Sequence, residues 1–482
     1  MSYEKILLHS RTYDPAFASK GYLHDQPTRR RDLRRRRPLR QGGRVTRTSK
    51  PDNASAKPGK PQFTSIEICA GAGGQAVGLH QAGFGHLALV EIDEHAVATL
   101  NLNIKGDNAD PAWAWEGDNC RIISKDVKAF EPLAEVSKNG KKLAPRELDL
   151  LAGGVPCPPF SHAGKQLGRD DERDLFPRML ELVKILQPRA VMIENVRGIM
   201  DPKFEPYRTW IRARLEGGKY TEDDGQIVGE PGLGYTVCNW GVLEASNFGV
   251  PQLRPRAILV AIRNDVLGDL PYSWPTATHE ESASVADSLA ETMRERYARF
   301  DKETGRTEGR AQFDRWYNTA SSRHTELKGR GGGIAPTLVG GSKKHGGADL
   351  GPSRAKAAWK QLGVSGMGVA NDLDTCTQKN TYERDLFGPD GPMLTVQQTA
   401  IIQGFPADWK FSGGKTAQYR QIGNAFPPPV AKAVGDSIAK VLSEADKRDR
   451  KAKREQERKE RLRAAKEHSE QYGLFATTEL AS

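Results

Sequence analysis

The sequence predicts an α/β fold: a largely parallel sheet covered by helices, a second and smaller domain set before the last helix, and charged tails at both ends. Three observations carry this. Short β-type runs alternate with amphipathic helical runs between residues 62 and 264. A strand, a glycine turn and a helix follow without a gap in "TSIEICAGAGGQAVGLHQAG". Beyond residue 264 the alternation gives way to glycine- and lysine-rich stretches, until "YRQIGNAFPPPVAKAVGDSIAKVL" restores a helical pattern.

Taken in order, residues 1–61 read as a disordered basic arm, rich in Pro, Lys, Arg, Ser and Gly and without apolar periodicity. Order begins at "FTSIEICAGAGG". The strands expected in 62–264 are "TSIEIC", "HLALVEI", "LDLLAG", "AVMIENV" and "RAILVAIR"; the helices are "GQAVGLHQAG", "EHAVATLNLNI" and "FPRMLELVKILQ". Residues 265–408 form the smaller domain, with few long periodic segments. Residues 409–443 return to the first domain, and the "PPP" there opens a helix where missing N–H groups do little harm. The mixed-sign segment 444–482 extends that helix into solvent.

Length and composition bound the function. A chain of 482 residues is too long for one core and suits two domains with appendages. Net charge is +11, and residues 1–62, with 16 Lys/Arg against 5 Asp/Glu, account for all of it. Such an arm attracts nucleic acid without regard to sequence, or is simply a solvated tail. No stretch suits a membrane span and no secretory leader is visible, so a soluble, cytoplasmic protein is expected. Five scattered cysteines, Cys69, Cys120, Cys157, Cys238 and Cys376, make neither a metal-spacing cluster nor a disulfide framework.

The glycine turn after the first strand leaves backbone N–H groups open to a nucleotide-like cofactor. Glu91, at the end of the next strand in "ALVEID", is placed to accept ribose hydroxyls. These two features do not choose among NAD, FAD and S-adenosylmethionine. "GGVPCPPF" and "PRAVMIENVRG" add Cys157 and Glu194 at the same sheet edge, a thiol and a carboxyl able to add to and protonate an electron-poor ring.

At these residues the chain resembles the C5-cytosine-specific DNA methyltransferases of bacterial restriction-modification systems. The likeness runs in motif order through "EICAGAGG", "VEIDEHA", "KDVKAF", "GGVPCPPFSHAGKQ", "IENV", "PQLRPRAILVAIR", "LTVQQTAIIQGFP" and "QIGNAFPPPVAKAVG". It implies a Rossmann-like, S-adenosylmethionine-dependent sheet with a target-recognition domain at 265–408. It implies cofactor contacts at Ala70, Gly71, Gly73, Gly74, Glu91, Ile92, Asp126 (to the adenine amino group), Val127, Pro156, Leu175, Asn424 and Ala425. The resemblance assigns catalysis to Cys157, Glu194, Arg254 and Arg256, and DNA contacts to Ser161, Gln252, Thr337 and Leu338, with Arg330, Lys343, Lys344 and His345 flanking the last two. Two departures stand out: Cys69 replaces the loop aromatic, and Gln397 and Gln398 replace an arginine and a glutamate.

The chemistry agrees with that resemblance. Cytosine C5 is a weak nucleophile, and a thiolate added at C6 makes the ring an enamine whose C5 can attack a methyl donor. Cys157 is the expected thiol. Glu194 is expected to protonate or hydrogen-bond N3, which needs a raised pKa or a shared proton. Arg254 and Arg256 are expected to hold the base carbonyl and lower the thiol pKa, with Gln252 supporting the loop. The polar segment after Cys157 reads as a lid over a flipped-out cytosine, and His162 as a loop residue and not as a partner of the thiol. The expected partner is duplex DNA, with a restriction endonuclease as functional counterpart, and the chain is expected to be a monomer. Two alternatives are a tRNA cytosine methyltransferase, against which the large basic middle domain argues, and a non-catalytic nucleic-acid-binding module, which would not need Cys157, Glu194 and the arginines together.

Overall fold

The computed structural model describes residues 60–107, 109–156, 174–222, 224–278, 283–326, 333–340 and 348–479, with side chains left out at 323–326 and 468–479. Residues 1–59 of the expected basic arm lie outside these residues, as do Cys157, Ser161, His162, Arg330, Lys343, Lys344 and His345.

Apolar runs that would suit a strand buried on both faces become the centre of one sheet. Its strands are β1 Phe63–Ile68, β2 Phe84–Glu91, β3 Arg121–Ser124, β4 Leu150–Gly154, β5 Ala190–Val196, β6 Tyr235–Glu244 and β7 Pro255–Arg263. In space they run β6-β7-β5-β4-β1-β2-β3. β5, β4, β1, β2 and β3 pair in parallel. β7 runs antiparallel to both of its neighbours, so the sheet is largely but not wholly parallel. All five expected strands form. β3 and β6 were not anticipated, since β3 has only four residues and β6, on the sheet edge, dilutes its apolar positions with Thr, Cys, Asn and Gly.

Helices cover both faces. α1 (Gly74–Gln81) and the last helix, whose buried residues run from Val430 to Ala445, close one face over Phe63, Leu150, Met192 and Ile258. α2 (Glu94–Ile104) follows β2, capped by Asp93, whose carboxylate accepts from His95 N and Ala96 N. α3 (Phe176–Leu186) and α4 (Glu205–Glu216) close the other face over Ile66, Leu151, Ile193 and Leu259.

The region 265–408 is more helical than its glycine content suggests. α5 (Val285–Thr304) and α6 (Gly309–Glu326) are both long. The stripe Val285, Leu289, Met293 and Tyr297 of α5 has four-residue spacing, but charged residues surround it and hide it in the sequence. α7 (Val396–Gln403) opens with a capping box in which Thr395 and Gln398 bond reciprocally, so Gln398 has a structural use here. α8 (Lys415–Asn424) leads back to the sheet, and one apolar cluster runs from Leu289 and Trp359 through Ile402 to Ala70 and Leu100.

α9 (Pro428–Glu479) is a single helix, and residues 451–467 are exposed all round, as expected of a charged tail. It leaves the body beside the start of β1 and β5, where Gln62 donates to Ser443 and Arg189 pairs with Asp446. That edge is opposite the strand ends that carry Glu91 and Glu194.

Where α1 crosses α9, a side chain at Gly78 would put its Cβ 2.3 Å from the Pro428 carbonyl and 2.6 Å from Ala431. Gly78→Ala should therefore lower the unfolding free energy by about 1–3 kcal/mol, despite alanine's better helix propensity. Urea titration followed by circular dichroism checks this, and an unchanged midpoint would mean that the two helices can separate at little cost.

Candidate active site

Parallel register brings the ends of β1, β2, β4 and β5 to one edge: Ile68 pairs with Val90 and Gly153, and Gly154 with Glu194. The chain order reverses between β1 and β4, where open α/β sheets form a crevice. A cavity of about 340 Å³ occupies it, lined by Glu67, Ala70, Gly71, Gly74 and Glu91 on one side, Gly154, Pro156 and Glu194 on the other, and Asn424 and Ala425 across the top.

The glycine loop is shaped by positive φ at Cys69, Gly71 and Gly73 (52°, 54° and 89°). Nothing lies within 4 Å of a Cβ built on Gly71, so its outer face is open. A Cβ on Gly74 would stand 2.3 Å from the Phe426 carbonyl, so the segment 424–426 presses directly on the loop. Glu91 is held by three backbone donors: Gly71 N to Oε2 at 2.7 Å, and Ile92 N and Asp93 N to Oε1, each at 2.8 Å. Ile92 beside it is 65% exposed. Asp126 caps the turn after β3 by accepting from Lys128 N. Asp126, Val127, Ile92, Gly73 and Leu175 do not line the cavity. Burial, with the charges of Glu91, Asp126 and Glu67, pushes the Cys69 thiol up to about 12, so Cys69 stays protonated.

Glu194 projects from β5 over Gly154, where a Cβ would come within 3.0 Å of Oε2. Its Oε1 pairs with Arg256 Nε at 2.8 Å. Burial raises the Glu194 pKa, and the charges of Arg256 and Arg254 oppose the rise without cancelling it. The Asn195 amide donates to Val155 O at 2.8 Å, fixing the chain where β4 gives way to Pro156. Leu175 N donates back to Pro156 O at 3.4 Å, so the chain leaves and re-enters at one point on the cavity rim. Asp174, accepting from Phe176 N and the Tyr207 hydroxyl, secures the far end. Cys157 follows Pro156 directly and lies outside the described residues.

Three of the expected contact residues, Arg254, Gln252 and Leu338, are buried. Arg254 is 1% exposed, and its guanidinium donates to Leu338 O at 2.6 Å, Gly423 O at 2.6 Å and Ala425 O at 2.9 Å. Its terminal nitrogens are thus occupied by main-chain carbonyls, not free for a base. Burial, reinforced by the charge of Arg256, lowers its pKa. Gln252 is fully buried, accepting from Leu338 N and donating to Gln403 Oε1, each at 2.8 Å. Leu338 is buried too. Thr337 is half-buried and its hydroxyl donates to Leu253 O at 2.5 Å. In "TLVGG" the residue types alone do not show which side chain turns inward.

Sequence reasoning missed Gln403, Gln75 and Glu67. Gln403 is buried and donates to the Ala425 carbonyl at 2.5 Å, the same oxygen that Arg254 reaches. The signal was available in "IIQGFP", a glutamine on the apolar side of a short helix. Gln75 and Glu67 lie in the cavity wall within motifs read only for their glycines.

The profile of the C-5 cytosine-specific DNA methylases matches residues 63–440. The Type II methyltransferase M.NaeI of Lentzea aerocolonigenes is 44% identical over 388 residues, spanning 80% of this chain and 77% of that protein. The Type II methyltransferase M.NgoMIV of Neisseria gonorrhoeae is 42% identical over 384 residues, spanning 79% of this chain and 98% of that protein. A solved structure of the Entamoeba histolytica methyltransferase EhMeth aligns with 79% of this chain and 99% of its own, at 13% identity and a TM-score of 0.45. With a family match over most of its length and a sheet edge that joins a glycine loop, the strand-end acid Glu91 and the buried Glu194, the chain belongs to the C-5 cytosine-specific DNA methylase family, enzymes that methylate cytosine in DNA with S-adenosylmethionine.

Proposed function

We propose that the enzyme methylates one cytosine within a short duplex sequence, and that its working residues are Cys157, Glu194 and Arg256. The observation that carries this is the single cavity shared by Glu91 at one end and by Glu194 and Pro156 at the other. Its 340 Å³ falls within the roughly 300–1,000 Å³ of small-molecule sites, and the open face of Gly71 with the acid at Glu91 fits a nucleoside cofactor. S-adenosylmethionine supplies an electrophilic methyl group there. Glu91, the Gly71–Gly74 loop, Asn424 and Ala425 would hold it, with Ile92 and Asp126 toward the adenine.

Cys157 then adds through sulfur to C6 of the flipped base, and the electron pair moves toward N3. Glu194 supplies the proton or hydrogen bond that N3 needs, and burial, by raising its pKa, favours the protonated form. Arg256 fixes the orientation of the Glu194 carboxyl through its Nε contact. After methyl transfer a base removes the C5 proton, and the thiolate leaves. Thr337 and the flanking basic residues are assigned to the DNA side of 265–408; Arg254 and Gln252 are assigned to holding that region in place. We further read the enzyme as a cytoplasmic monomer whose mark protects DNA from a cognate endonuclease. The likeness to two Type II methyltransferases supports this last point.

Incubation with labelled S-adenosylmethionine and mixed-sequence duplex DNA, followed by bisulfite mapping, should reveal one recurring motif; methylation of tRNA without DNA would overturn the assignment. Cys157→Ala should abolish turnover and the stable complex with a duplex containing 5-fluorocytosine, in which no C5 proton can leave, while S-adenosylmethionine binding persists. Glu194→Gln should slow methyl transfer by about 10²–10⁴-fold. In the wild type kcat/KM should fall as pH rises through the raised Glu194 pKa, because the proton donor is lost. That limb should be absent from the Glu194→Gln profile. Deleting residues 1–61 should flatten the salt dependence of DNA binding; an identical slope would refute a role for the arm.

A further inference from the structure

The last helix carries a charge pattern that its mixed composition conceals. Residues 446–467 hold 11 Lys/Arg against 6 Asp/Glu, and the two signs are sorted by face. Lys447, Lys451, Arg454, Arg458 and Arg461 follow one another at intervals of four and three residues, so they form one stripe along the helix. Asp449, Glu460 and Glu467, eleven and seven residues apart, share the opposite face. The stripe points away from the body, since the sheet covers the line Val434, Ile438, Val441 and Ala445 on the other side of α9.

These cations are open and rigidly presented. Residues 451–467 are exposed, and Arg454, Arg458 and Arg461 have no carboxylate partner among the described residues. Lys451 shares Glu455 with Lys459. The root of the exposed part is fixed by Asp446, paired with Arg189 at 2.6 Å, and by Arg448, whose Nη2 donates to the Asp265 carbonyl at 3.0 Å. Like charges three and four residues apart repel, so the stripe weakens the helix that bears it. Its use lies outside the helix.

A row of unpaired cations fits a polyanion, and the substrate of this family is one. From Lys451 to Arg461 the row spans about 15 Å, along which duplex DNA presents a charge roughly every 1.7 Å of its axis. The row has none of the Asn or Gln side chains that read adenine edges, and evenly spaced Lys and Arg suit phosphates. Its place excludes the base pairs around the target cytosine. The helix leaves from the edge opposite Glu91 and Glu194, the strands between the two edges are about 23 Å long, and the row lies further out still. We propose that the basic face of α9 holds a second stretch of duplex DNA by its phosphates, without regard to sequence, while the target stretch lies at the cavity. The row lies beyond residue 440, where the family match ends, and the proposal does not depend on which residues perform the chemistry. On long DNA such a grip raises the effective concentration of further sites.

The test mixes full-length protein with two short duplexes of unrelated sequence, one carrying a donor dye and the other an acceptor. Wild type should bring them together, giving energy transfer that disappears as salt rises. Combined Lys451→Gln, Arg454→Gln, Arg458→Gln and Arg461→Gln, which keeps good helix formers on an exposed face, should abolish the transfer. The same variant should lower the salt slope of duplex binding by about 3 and leave kcat on a short substrate duplex within twofold of wild type. A charge-matched control, Lys453→Gln, Lys459→Gln, Arg463→Gln and Lys466→Gln, should retain the transfer. Absence of transfer in wild type, its persistence in the stripe variant, or equal loss in both variants would overturn the proposal. So would transfer between two labelled RNA hairpins but not between duplexes. If the stripe variant lost its helical circular dichroism, the wild-type transfer and the control would still decide, because a transfer that the control also loses refutes a role for one face. Loss of methylation with transfer intact would count against the catalytic assignments and not against this inference.

Discussion

Parallel pairing of β4, β1 and β2, with β5 alongside, is the constraint on which the site depends. Parallel strands joined by crossover helices finish at the same edge, so whatever the sequence places at a strand end is delivered to one line of space. Here that line carries Glu91, the loop after Ile68, Gly154 with Pro156, and Glu194. The reversal of chain order between β1 and β4 opens the crevice at the middle of the line. Antiparallel β7 enters from the same edge, which is why Arg256, near its beginning, meets Glu194, near the end of β5.

A second level of organisation uses buried polar side chains as ties. Arg254, Gln252 and Gln403 satisfy main-chain carbonyls or amides at Leu338, Ile402, Gly423 and Ala425. Such groups are tolerated inside only when their hydrogen bonds are made, and here nearly all of their donors are used. The consequence is mechanical: a segment of the 265–408 region and the wall of the cofactor cavity hold the same guanidinium. Arg254 and Gln252, expected from the motif to touch substrate, here bond main-chain groups of two separate segments.

The charged helix belongs to neither level. Its buried part seals one face of the sheet, and its exposed part leaves from the edge opposite the strand ends that form the cavity. The mixed-sign residues 451–467 are therefore remote from the cavity, and their pairs, such as Glu455 with Lys459 and Arg463 with Glu467, are internal to the helix. They support helicity only weakly, because both partners are solvated.

The sequence by itself determined the α/β class, the five principal strands and the residues at their ends, because hydrophobic period and glycine chemistry are local properties of the chain. Glu91 and Glu194 could be placed at one edge without coordinates, since parallel strands leave no other choice. The inward turn of Leu338 and the capture of Arg254 by three carbonyls were decided only by tertiary structure. Each depends on which distant segment packs against the residue, and burial of that kind leaves no periodic trace. β3 and β6 escaped detection for the related reason that a short or edge strand is stabilised by its neighbours more than by its own pattern. A motif names the residue types available; packing alone assigns which of them face the ligand and which hold the frame.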